Sequence, residues 1–323
     1  MEDAESDSSG ASRCLLLELN HDLLGVLFDG LADPLQPAAV AIAVALSSTC
    51  KGLWTLLRSA LEVLVQQHKK VLELCRKLGT PAWSCELLRK EHPVLILTGI
   101  PNCFTADDMA ALGLVLRRQS RLVKLDLHGV GDAGVQSLCE SLGDATLPNL
   151  RRLRIHGEFH GANVMGPTSA EALAITLPRL VLAKLEELDL KCNPFRDHGI
   201  CALAGPLRKL PRLKKLNLIC TGMGNDGVAA LFGGLGKEDF KALEHFNVGA
   251  QDLSDESQLP LNRNRISHAG VDAILAAIDG DALPRLEAVV LRVGLAVDGG
   301  EDASSIRLRA AITRAKARRA RAN

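Results

Sequence analysis

An α/β solenoid, with parallel strands on the inside and helices on the outside, is the fold class this sequence predicts, and three observations predict it. The first is a repeated head of two leucine-type residues three apart and a third two further on: Leu122, Leu125 and Leu127; Leu150, Leu153 and Ile155; Leu185, Leu188 and Leu190; Leu213, Leu216 and Leu218. Leu243, Phe246 and Val248 and then Leu286, Val289 and Leu291 continue it, and Leu95 with Leu97 makes a weaker first copy. The second is the interval between heads, 28, 35, 28, 30 and 43 residues, a base period of about 28 lengthened by insertions. The third is a turn signal that recurs after each head, as in Gly131 to Val135, Asp197 to Ile200, Asn225 to Val228 and Ser267 to Val271.

The alternating end of each head places two apolar side chains on one face of a short strand and polar ones on the other. Asp, Asn or Ser in the turn signal is expected to cap the helix that follows, because a side-chain oxygen accepts from a backbone N–H left unpaired in the first turn. Helical spacing follows, as in Val135, Leu138 and Leu142 or Ile200, Leu203 and Leu207. One such unit cannot bury its own apolar face, but a row of them shares a continuous core. With Cys192 and Asn193 after one strand and Asn264 before Ile266, the pattern resembles the leucine-rich repeats of the ribonuclease-inhibitor class. That resemblance implies a horseshoe of about seven repeats over residues 92–297.

The chain before the repeats reads as helical. Residues 1–12 are acidic and serine-rich, which predicts a disordered tail. Leu19, Leu23, Leu24, Leu27, Phe28 and Leu31 recur at helical spacing, with Asn20 or Asp22 placed to cap, and Asp33 with Pro34 ends the run. A second helix is expected over Pro37 to Leu46. Together Asp22, Leu24, Leu27, Leu31, Asp33, Pro34, Val44, Leu46, Cys50, Leu53 and Trp54 resemble the F-box, over residues 13–57. Leu19 and Asn20 stand where that family has Leu-Pro, and Trp54 lies one place further from the cysteine. The resemblance implies docking on a Skp-type adaptor of a cullin ubiquitin ligase through Leu23, Leu24, Pro34 and Leu53.

Linker helices are expected over residues 58–91. An apolar stripe from Leu53 through Leu57, Leu61, Leu64, Val65, Val71, Leu72 and Leu78, with His68 on it as a core histidine, calls for one helix of some 26 residues ended by Gly79 and Pro81. Two insertions lengthen the repeats, Gly157 to Thr168 and Gln251 to Leu261. His156, Glu158 and His160 cluster at the first, but no fourth ligand is placed by sequence, and neither a metal nor a cofactor is expected. Residues 298–323 turn from acidic to basic, with seven positive charges among the last 17 residues. A solvated terminal helix or tail is preferred there over a nuclear-import or nucleic-acid patch.

Lysine plus arginine (38) balances aspartate plus glutamate (38), so nothing global draws the chain to nucleic acid or to an anionic membrane. No apolar run approaches the ~18 residues that span a bilayer. The nine cysteines contain no Cys-x-x-Cys and read as reduced, small hydrophobes of a cytoplasmic or nuclear protein. No phosphate-binding loop, nucleophile elbow or zinc-protease motif occurs, and no enzyme is expected.

The strand residues between the leucines define a candidate target-binding wall: Lys124, Asp126 and His128; Arg152, Arg154 and His156; Glu187, Asp189 and Lys191; Lys215 and Asn217; and His245. Both signs alternate along it, which favours a particular protein surface over a polyanion. The expected function is therefore substrate recognition in a cullin-type ubiquitin ligase, with an unidentified target protein on the wall. The alternative is a non-enzymatic scaffold or regulator whose N-terminal helices only cap the core.

Overall fold

A computed structural model describes residues 37–48, 51–77, 93–97, 104–117, 119–143, 147–157, 165–180, 182–249, 264–291 and 303–322. The chain divides into two compact units, Met1–Arg76 and Lys77–Asn323.

Within the first, α1 spans Pro37–Ser48 and α2 spans Lys51–Lys77, 27 residues. Helix α2 buries Leu57, Leu61, Leu64, Val71 and Leu74, one face at three- and four-residue steps. Val65 and Leu72, expected on that stripe, are 43 % and 36 % exposed. At 100° per residue they fall on its flank, where the buried face has ended. His68 is half-buried. Leu23, Leu24 and Pro34 lie outside the described residues, and for Leu53 only the helical backbone is described.

The second unit carries one sheet of seven strands in sequence order, every neighbouring pair parallel: β1 (Val94–Leu97), β2 (Lys124–His128), β3 (Arg152–His156), β4 (Glu187–Asp189), β5 (Lys215–Asn217), β6 (His245–Asn247) and β7 (Ala288–Val290). Helices α3 (Ala106–Leu116), α4 (Gly131–Leu142), α5 (Pro167–Arg179), α6 (Arg196–Arg208), α7 (Asn225–Phe232) and α8 (His268–Asp279) connect them, each packed on the next. This is the repeating strand-and-helix stack that the leucine heads predict.

Register explains why the heads repeat. Leu125, Leu153, Leu188, Leu216, Phe246 and Val289 pair in one continuous row, and the first five are at most 4 % exposed. The leading leucines Leu122, Leu150, Leu185, Leu213, Leu243 and Leu286 form a second buried row. Burying such a side chain contributes roughly 1.5–3 kcal/mol, and in a stack each repeat supplies the wall against which its neighbour buries.

Polar devices lock successive repeats together. The Nδ2 of Asn193, which is fully buried, donates to the carbonyls of Ile155, Leu190 and Lys191 at 2.8, 3.0 and 3.1 Å. Asn264 does the same one turn further on, donating to Leu218 and Val248 while its Oδ1 accepts from the Thr221 and Met223 amides. The capping residues correct the sequence expectation. Asp132, inside α4, accepts from Gly166 N at 2.7 Å and from Ser169 Oγ, at the start of α5. Asp197 in α6 accepts from Gly224 N and Gly227 N at 2.8 and 2.7 Å, at the start of α7, and Asn225 accepts from Ser267 N and Gly270 N, at the start of α8. Each of these side chains caps the next helix rather than its own, because parallel helices one repeat apart present their first turns side by side. Ser267 alone among the expected caps accepts within its own helix, from Ala269 N at 3.4 Å.

The basic C-terminal segment is a helix, α9 (Ala303–Ala322), and one of its faces is not solvated. Leu308, Ala311, Ile312 and Ala315 are at most 5 % exposed, and α9 packs on α8 and β7. Its charges are put to structural use: Arg307 pairs with Asp272 and Arg319 with Asp281, each at 2.7 Å, and Arg319 donates to the Leu283 carbonyl at 2.9 Å. The preferred picture of a solvated tail fails because Leu308, Ala311, Ile312 and Ala315 share one helical face amid the arginines.

Candidate functional site

The strands' polar positions stand on the sheet face opposite the buried leucines, and register orders them into three rows. Lys124, Arg152, Glu187, Lys215 and His245 form the first; Asp126, Arg154, Asp189, Asn217 and Asn247 the second; His128 and His156 pair in the third. Neighbours in a row lie one strand spacing apart, about 4.8 Å, so side chains of opposite sign pair across strands.

Arg154 donates its Nε to Glu187 Oε1 at 3.0 Å, and Arg152 Nε stands 3.5 Å from Glu187 Oε2. Hydrogen bonding to Glu187 holds the Arg154 guanidinium above its ordinary pKa. Beside this clamp, Arg152 is exposed, as is Lys215 in the same row, while His245 is half-buried at 4.0 Å from Glu287. Asp189, Asn217 and Asn247 repeat one turn at the strand ends, each accepting from the amide two residues on, Lys191 N, Ile219 N and Gly249 N, at 3.2, 3.2 and 3.3 Å.

Three members of the expected wall are nearly closed off from solvent: Asp126, His156 and Asp189 are 6 %, 7 % and 8 % exposed. An evenly solvated wall is thus corrected to a ridge of accessible cations beside a buried polar cluster. His128 and His156 stack with ring centroids 4.7 Å apart, tilted by 58°. His128 Nε2 lies 3.3 Å from Asp126 Oδ1, and His156 Nε2 lies 3.0 Å from Asp189 Oδ2. Despite these approaches, Asp126 Oδ1 and His156 Nε2 are buried without a hydrogen-bond partner. Lys124 Nζ stands 3.5 Å from the other Asp126 oxygen.

The cluster has its own electrostatics. Partial burial and the nearby His156 ring lower the His128 pKa against the opposing pull of Asp126, so its imidazole is held neutral at physiological pH. Burial works against the Asp189 carboxylate, but the His156 ring together with the Lys191 amide and charge more than offset it, and Asp189 titrates below the ordinary aspartate range.

Sequence reasoning listed Asp126, His128 and His156 as separate wall positions and grouped His156 instead with Glu158 and His160, which lie outside the described residues. The overlooked signal is the interval: His128 and His156 are one base period apart, which in a register-locked sheet makes them neighbours. The cysteines contribute no chemistry. Cys139, Cys192 and Cys220 are buried free thiols, and exposed Cys201 has its pKa raised by burial of its sulfur and by Asp197 and Asp226. Hydrogen bonding to Cys220 and burial raise that of Cys192.

Comparison with known families matches the leucine-rich repeat to residues 181–204, the stretch that holds β4 and the first two turns of α6. No curated protein matches the chain. Among the described residues, no helix is long and apolar enough to cross a membrane.

Proposed function

We propose that the chain is a non-enzymatic recognition subunit: its repeats hold a target protein on the open face of the sheet, and its N-terminal helices dock a Skp-type adaptor of a cullin ubiquitin ligase. The observation that carries the first half is the ridge of Arg152 and Lys215, accessible cations on a rigid sheet, next to acids already engaged by Arg154 and Arg152. A target offering carboxylates in matching register gains charge-assisted contacts there without reordering the scaffold. Leucine-rich repeats are in general protein-binding modules, and the match over β4 falls on this face.

The second half rests on the F-box resemblance of residues 13–57 and on apolar side chains that α1 leaves in water, Ile42 at 53 % and Val44 at 42 % exposed. Tethering a target in this way raises its effective concentration at transfer machinery carried by other subunits. The competing reading is a scaffold whose N-terminal helices bind no adaptor; it draws on the repeat match, which concerns the repeats alone.

Co-purification of the full-length chain with a Skp-type adaptor tests the proposal, alongside a Leu23→Asp, Leu24→Asp double variant that keeps its helical circular dichroism. Binding by the parent and loss in the variant is the expected result. A folded parent that leaves the adaptor behind overturns the ligase assignment and selects the scaffold.

A further inference from the structure

The cluster on β2 and β3 points beyond protein binding. We propose that Asp126, His128 and His156 form a site for a divalent first-row transition metal ion of the zinc class.

Geometry is the first argument. One ligand atom from each of the three residues lies within 4.8 Å of the others, so a single ion can reach all three after small side-chain adjustments. The 3.3 Å between His128 Nε2 and Asp126 Oδ1 already equals the separation of two donors at about 2.0–2.1 Å from a tetrahedral ion, roughly 3.3–3.4 Å.

The second argument is independent of distance. Asp126 Oδ1 and His156 Nε2 are buried polar atoms on side chains more than nine-tenths covered, and neither has a hydrogen-bond partner. Leaving such a group unsatisfied costs about 1–3 kcal/mol, so its persistence calls for an occupant. A cation is the occupant that satisfies a carboxylate oxygen and an imidazole lone pair together.

The surroundings suit that assignment. Lys124 occupies the other Asp126 oxygen and Arg154 is engaged by Glu187, so neither competes for Oδ1. His128, with 39 % of its side chain exposed, provides the path of entry. Two imidazoles and one carboxylate select a borderline ion such as zinc over magnesium or calcium, which take all-oxygen shells. Three protein ligands leave a fourth position, and Asp189 Oδ2, 3.0 Å from His156 Nε2, is the nearest further donor.

The full-length chain, stripped with a chelator and kept reduced, is titrated with Zn2+ and, for its visible spectrum, with Co2+. The expected result is one ion per chain, a tetrahedral cobalt spectrum without thiolate charge transfer, and at least tenfold weaker binding in both Asp126→Asn and His128→Gln. His198→Ala, at an exposed histidine on α6, binds as the parent does. Because His128 is half-exposed, its variant is expected to fold, and the zinc-induced rise in melting temperature seen in the parent disappears in it. No stoichiometric binding by the folded parent, a thiolate spectrum, or unchanged affinity in both ligand variants overturns the site.

Discussion

At the scale of single residues, this protein is decided by close approaches that tolerate no extra atom. A Cβ on Gly227 would stand 2.6 Å from Met223 Cγ and 2.8 Å from Asp197 Oδ1, the very oxygen that caps α7. Gly227→Ala is therefore expected to cost about 1–3 kcal/mol by overpacking, read as a lower urea midpoint. The turn glycines were visible in the sequence as punctuation; their reason, contact with the neighbouring repeat, was not. Asp239 supplies a pH-dependent increment. Burial works against its carboxylate, but Lys209 at 2.7 Å and the Gly236 amide outweigh it and lower its pKa. A depressed folded pKa stabilises above the unfolded value, about 3.9, and that stability is lost as pH falls below it. Melting temperatures between pH 7 and pH 3 should show the loss in the parent and a flatter acid limb in Asp239→Asn, modest because Lys209 is largely exposed.

At the scale of elements, the inter-repeat caps make each helix depend on its predecessor. Asp197→Ala removes the acceptor for Gly224 N and Gly227 N and should cost about 1–2 kcal/mol, within the range for lost caps. Hydrogen exchange locates the effect: amides of α7 should exchange faster while those of α6, the helix that carries the substitution, change little. Faster exchange confined to α6 would contradict the capping scheme. The existence of the strands and helices was legible, since alternation and helical spacing are local patterns. The direction of capping was not, because the acceptor lies 27 to 45 residues from its donors in the chain. Likewise α2 showed its length through its stripe, but where the buried face stopped depended on what packs against it, and Val65 and Leu72 fell outside.

At the scale of the whole repeat unit, stability is a sum over neighbours, so an uncovered end weakens everything inward of it. Helix α9 covers one end with Leu308, Ala311, Ile312 and Ala315. Deleting residues 303–323 should expose the apolar face of α8 and lower the melting temperature, with aggregation on heating; Arg314→Ala, at an exposed position, should do neither. The sequence by itself determined the α/β repeat, its period, the seven strand positions and the buried leucine rows, because each is written in spacing along the chain. Only the tertiary structure decided that charged rows close into ion pairs, that basic α9 packs as a cover, and that Asp126, His128 and His156 meet. The physical reason is shared: a parallel register sets residues a period apart side by side, but which side chains then turn toward one another depends on their packing across that gap.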